Sequence, residues 1–172
     1  GILGRGGLAG ADGPDRLVGD HQVPGRPGRD PLKRAAHLPA DHPSWASALR
    51  QSLPELLSAS DVVSLHVPLT DATRNMIDAN AIAGMKQGAI LVNAARGGVV
   101  DEAALCAALR SGHLGGAALD VFAREPVDAA SGARFAGLPN LILTPHIAGV
   151  TEESNVRVSA VTAEAVARHL GA

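Results

Sequence analysis

With 172 residues, 46% of them hydrophobic and 19% charged, the chain has enough apolar material for one sizeable core and too little length for two ordinary domains. Its formal charge of -2 gives no general attraction to nucleic acid or to an anionic lipid surface, so neither partner is expected and recognition must come from a local site. The single cysteine, Cys106, excludes an internal disulfide, no secretory leader pattern opens the chain, and its apolar runs fall far short of the roughly 20 residues that cross a bilayer, which points to a reducing cytoplasm.

In chain order, residues 1–43 come first as an irregular segment. Gly4, Gly6 and Ala9 fit the G-x-G-x-x-A form of the dinucleotide fingerprint, which places Gly4 and Gly6 against a cofactor pyrophosphate if a strand precedes them and a helix follows. The helix is hard to build. Gly13-Pro14, Pro24-Gly25 and Arg26-Pro27-Gly28 break both helical and strand periods, so residues 10–40 read as loop or disorder, and no apolar strand leads up to Asp30, the acidic residue at ribose-binding distance. This mixture of Arg, Gly, Pro and Ala is also what a GC-rich gene read out of frame would encode. We favour that explanation, which resequencing of the coding DNA tests.

From residue 44 the pattern changes. Nearly continuous apolar runs at Val62–His66, Ala89–Asn93, Ala117–Val121 and Leu141–Leu143 predict strands buried on both faces, as in a parallel sheet covered by helices. Asp101 and Gly112 bracket a helix of about three turns, and Thr151, followed by Glu152 and Glu153, opens a closing helix that runs to about His169. The expected class is therefore α/β, a Rossmann-like doubly wound parallel sheet over residues 44–172 with an irregular N-terminal part.

The chemistry-bearing residues fall just after these strands, where open parallel sheets bind ligands. Arg96, in Asn-Ala-Ala-Arg-Gly-Gly, offers a guanidinium suited to gripping a carboxylate; an ordinary surface arginine in a glycine turn is the equal alternative. Glu125 precedes Pro126, and His146 follows Thr144-Pro145. Taken singly they read better as a solvated turn residue and a hydrogen-bonded loop histidine, but together they form an acid-base pair able to move a proton near neutral pH. No cluster has metal-ligand spacing, and Cys106 falls inside a predicted helix as a packed thiol, so neither a metal nor covalent catalysis is expected.

The segments HVPLTDATRNMI, LVNAARGGVVDEAAL, GAALDVFAREP and NLILTPHIAG, in this order and spacing, resemble the successive signatures of D-isomer-specific 2-hydroxyacid dehydrogenases over roughly residues 53–160. The resemblance implies an NAD-dependent oxidoreductase, with NADP as the alternative, interconverting a small 2-hydroxy acid and a 2-oxoacid. It casts Arg96 as the carboxylate holder, His146 as the proton exchanger and Glu125 as its support. It also places Asp120 near the nicotinamide carboxamide, with Pro68, Thr73, Ala94, Ala95 and Gly149 lining the cofactor; a structural turn or packing role is nearly as good a reading for each of those five. The residues from Val150 to Ser159 are similar to members acting on sulfolactate.

Relative to that family the sequence is expected to lack the substrate domain. Arg96, Glu125 and His146 would face solvent, and this 172-residue chain is expected to bind NAD weakly and turn over little. A homodimer is expected of the full-length protein. A corepressor-like nucleotide sensor without turnover, resembling the same family, is the competing reading.

Overall fold

In the computed structural model, residues 16–19, 32–34, 49–138 and 140–171 are described. Seven strands form one sheet: β1 (Arg16–Gly19), β2 (Leu32–Arg34), β3 (Leu49–Arg50), β4 (Val62–His66), β5 (Ala89–Asn93), β6 (Leu114–Leu119) and β7 (Leu141–Leu143), in the order β3-β2-β1-β4-β5-β6-β7. From β4 to β7 each strand pairs in parallel with the next in sequence. This is the Rossmann-like arrangement expected, and it puts the carboxyl ends of four strands along one edge.

Two features differ from the expectation. β1 and β2 lie within the segment read as loop, and β1 runs antiparallel to both β2 and β4, so the sheet is mixed rather than wholly parallel. Each of these strands is only three or four residues long, too short to register as a period between glycines and prolines. Gly4, Gly6, Ala9 and Asp30 lie outside the described residues.

β6 also begins three residues before its expected start, at Leu114, and stops at Leu119 rather than Val121. Gly115 and Gly116 mask its beginning. A Cβ on Gly115 would lie 2.5 Å from the Gly88 carbonyl oxygen, and the β5–β6 register shifts at this point, so the glycine serves a close backbone approach at an irregularity in the ladder.

The helices start where side chains can accept their first amides. Ser52 and Glu55 form a capping box on α1 (Leu53–Ala59), Asp78 caps α2 (Ala79–Ala83), and Asp101 accepts from Ala103 and Ala104 on α3 (Glu102–Arg110). Gly112 has φ 71° just past α3, as its predicted terminating role requires. Asp128 opens the single turn α4 (Ala129–Gly132), and Thr151 opens α5 (Glu152–Leu170).

Leu65, Leu91, Leu105, Leu114 and Ile77, all fully buried, centre the core, with Cys106 packed among them. None of the 19 residues of α5 is buried, and Val156, Val161 and Leu170 stand open to solvent. Among the described residues no helix is long and apolar enough to cross a membrane, and no cluster of His, Cys, Asp and Glu could hold a metal ion.

Candidate active site at the carboxyl edge of the sheet

Arg96, Glu125 and His146 follow β5, β6 and β7, three adjacent parallel strands, so topology alone carries all three to one edge. The turn after β5 is held by Asn93, whose buried side chain donates from Nδ2 to the Arg96 carbonyl at 3.0 Å and accepts from the Ala95 amide at 3.1 Å. Arg96 itself is exposed, with Nη1 on the Ala95 carbonyl at 2.6 Å. Gly97 then packs backbone to backbone on the loop after β6: a Cβ there would sit 1.7 Å from the Phe122 carbonyl oxygen.

That second loop carries Glu125. Its Oε1 accepts from the Phe122 amide and its Oε2 meets His146 Nδ1, both at 2.8 Å. The bond from His146 and the one from Phe122, aided by the charge on His146, hold the Glu125 carboxyl below the usual glutamate range against the opposing effects of burial and Asp120. An ionised carboxylate only accepts, so Nδ1 carries the hydrogen in this pair, and Nε2 is the nitrogen left for proton exchange.

His146 has φ 56°, a left-handed conformation uncommon for a residue with a side chain. The loop is over-determined from the neighbouring strand. Asp120, almost fully buried, accepts from Thr144 Oγ1 at 2.5 Å and from the Ile147 amide on Oδ1, and from the Ala148 amide on Oδ2, both amides at 2.8 Å. Burial by itself raises this carboxyl, but the Thr144, Ala148 and Ile147 donors and the charge of His146 outweigh it and hold Asp120 below the usual aspartate range.

With its folded pKa below the ordinary value of about 3.9, Asp120 stabilises the fold above that value, and the contribution drains away as pH falls through the folded pKa. Wild type is therefore expected to lose melting temperature faster than Asp120→Asn on acidification below about pH 4. Parallel acid melting curves for the two proteins would remove this role from Asp120.

Of the other residues expected to line the cofactor, Thr73 is buried and internally committed, donating to the Pro68 carbonyl at 2.6 Å and accepting from the Thr70 amide at 2.8 Å. Pro68 is half-buried. Ala94 is exposed and Ala95 half-buried beside Arg96, whereas Gly149 is exposed and accepts from Ser154 Oγ at 2.6 Å at the entry to α5. Asn93, Thr144 and Glu102, which support the site from below, are not singled out by the sequence. Asn93 alone leaves a signal there, a polar side chain ending an apolar strand two residues before an amide that it can cap.

An open cleft of about 740 Å³ adjoins the pair, with Phe122, Val127, Phe135 and Leu143 beside Glu125 and His146 in its walls. Arg96 is not among its lining residues. Phe122 and Phe135 meet edge to face with centroids 5.8 Å apart, closing one side with a stable aromatic contact.

Residues 34–148 match the family described as D-isomer specific 2-hydroxyacid dehydrogenase, NAD binding domain. The chain is 54% identical over 135 residues to an (S)-sulfolactate dehydrogenase from Chromohalobacter salexigens, covering 78% of this chain and 43% of that protein. It is 53% identical over 102 residues to a glycerate dehydrogenase from Methylorubrum extorquens, covering 59% and 32%. The crystal structure of a D-lactate dehydrogenase from Aquifex aeolicus, complexed with NAD and lactic acid, superposes with a TM-score of 0.69 at 36% identity over 80% of this chain and 45% of the other. The chain thus spans less than half the length of these relatives.

Proposed function

The chain belongs to the D-isomer specific 2-hydroxyacid dehydrogenases through their NAD binding domain, and on that premise we propose that it serves an oxidoreductase interconverting a 2-hydroxy acid and a 2-oxoacid. The observation that carries this reading is the 2.8 Å pair of His146 and Glu125, one strand away from the exposed Arg96. Residues 44–172 are the proposed NAD-binding unit.

The nicotinamide end of the cofactor suits the groups present. Ala94 and Ala95 leave room at the end of β5, and Asp120 has one acceptor position open on Oδ2, since Oδ1 takes two donors and Oδ2 takes one. Asp120 would accept from the carboxamide, with Pro68, Thr73 and Gly149 nearby on the same edge and Gly4 and Gly6 assigned to the pyrophosphate from sequence. When bound, the cofactor supplies or takes the hydride.

The chain's own residues have simpler work. Arg96 grips the substrate carboxylate through its guanidinium fork and orients the reacting carbon. His146 gives a proton from Nε2 to the carbonyl oxygen in reduction and recovers it in oxidation, while Glu125 fixes the ring and stabilises its charged form. His146 and Glu125 are half-exposed, so water must be excluded by closure over this edge during turnover.

Glycerate-, phosphoglycerate-, lactate- and sulfolactate-type acids are the proposed substrate class, the sulfonate-bearing member supported by the similarity to the Chromohalobacter enzyme. NAD is the proposed cofactor; a related enzyme from Xanthobacter autotrophicus in complex with NADPH keeps NADP in the panel. A homodimer of the full-length protein is proposed, with sedimentation as its test, and a cytoplasmic location fits the single buried thiol.

The deciding experiment follows NADH and NADPH oxidation by the full-length gene product with 2-oxoacids ending in hydrogen, methyl, hydroxymethyl, phosphorylated hydroxymethyl and methylsulfonate. Arg96→Lys should raise KM for the preferred acid about tenfold or more, since a paired charge-assisted bond is worth roughly 1.5–3 kcal/mol. Absence of turnover with every acid and both cofactors would sink the proposal. The 172-residue chain alone should bind NADH weakly by calorimetry and show little turnover.

A further inference from the structure

We propose that Glu102 is a positioning residue for the His146–Glu125 pair, seating the 122–125 turn on the start of α3; this inference rests on the role proposed for that pair. Glu102 is the first residue of α3, a place where a carboxylate ordinarily points to water and favours the helix terminus. Here its side chain is only 9% exposed. Oε1 accepts from the Ala123 amide at 2.6 Å and Oε2 from Arg134 Nη1 at 3.0 Å.

The clamp is tied down at both ends of the helix, because Arg110, the last residue of α3, donates from Nη2 to the Arg134 carbonyl at 2.6 Å. The consequence falls on Glu125. Two successive amides of the turn are taken by two different carboxylates, Ala123 by Glu102 and Phe122 by Glu125. Gly97 presses on the same two residues from the β5 side. The turn is therefore gripped between α3 and the Arg96 loop, and the height at which Glu125 meets His146 follows from that grip. The Arg134 end is half-exposed, and an ion pair so placed adds little to overall stability, so its main effect is geometric.

The test separates geometry from charge by sign. Glu125 is held low by its bonds to His146 and Phe122, with His146 and Asp120 as the charged groups acting on it. Its titration is followed by carboxyl-carbon NMR in wild type, Glu102→Ala and Glu102→Asp, with Asp120 as the control carboxyl. Removal of a nearby negative charge alone would lower the Glu125 midpoint; loss of positioning raises it toward the ordinary glutamate range. Glu102→Ala is expected to shift Glu125 upward while Asp120 holds.

Glu102→Asp keeps the charge but is one methylene too short to reach Ala123 and Arg134 together, and it should also shift Glu125 upward. This variant decides the matter if the alanine protein fails to fold. An unchanged or lowered Glu125 midpoint, or equal movement of Asp120, overturns the proposal. The measurement needs neither substrate nor cofactor, so failure of the dehydrogenase reading in the turnover assay leaves this result readable by itself.

Discussion

Gly97→Ala is expected to cost the site more than any other single methyl group added at this edge. A Cβ at that position would sit 1.7 Å from the Phe122 carbonyl oxygen, 2.2 Å from its carbon and 2.9 Å from the Ala123 nitrogen. All three are backbone atoms, so no flexible side chain can swing away; the loops after β5 and β6 must separate. Overpacking of this kind costs roughly 1–3 kcal/mol in stability. The larger effect is on chemistry, because Arg96 precedes the glycine and Glu125 rides on the loop that is pushed. A displacement of about 1 Å between reacting groups is enough for about a 100-fold loss of rate. The expected result is a folded protein with a lowered melting temperature and kcat reduced by about that factor. Retention of wild-type Tm and kcat would mean that the two loops are not in register against each other as described.

His146→Gln is expected to lower kcat by about 100- to 10,000-fold, the range contributed by a positioned general acid or base. Glutamine can still accept or donate near Glu125 but cannot exchange a proton near neutral pH. Binding should be nearly spared, since the carboxylate grip proposed for Arg96 comes from a different strand end. The diagnostic pattern is therefore a fall in kcat with KM for the oxoacid and for NADH held within a few-fold. Because Glu125 supports His146 through a single 2.8 Å bond, Glu125→Gln should cost less than His146→Gln, and the double variant should cost little more than His146→Gln alone. Additive losses would show that the two residues act independently.

Much of this edge is legible in the sequence because a parallel strand buried on both faces announces itself as an unbroken apolar run. Val62–His66, Ala89–Asn93 and Leu141–Leu143 emerge in the fold with the expected limits, and the polar residues after β5, β6 and β7 must then share an edge. Leu114–Leu119 is harder. Two glycines, required by the approach of Gly88, hide its first half.

The supports of the site are less legible for a different reason. Glu102 stands in a helix-start position that composition fully explains, and only the fold reveals that its side chain turns back to Ala123 and Arg134. Asp120 is expected at the cofactor; the hydrogen bonds to its carboxylate come from the His146 loop, contacts between residues more than twenty positions apart that no local pattern encodes. The short β1 and β2 strands lack enough residues to outweigh the breakers around them.

The order of the parallel strands also bears on how this chemistry could be inherited. Because β5, β6 and β7 are neighbours both in sequence and in space, Arg96, Glu125 and His146, together with Asn93, Glu102 and Asp120, occupy one uninterrupted stretch of chain. Among the described residues, the side-chain hydrogen bonds that place Asn93, Glu102, Asp120, Glu125 and His146 all run within residues 93–148. A lineage could thus rebuild or exchange the opening strands of the domain while the geometry of the His146–Glu125 pair passed on intact, as a portable module of the sheet.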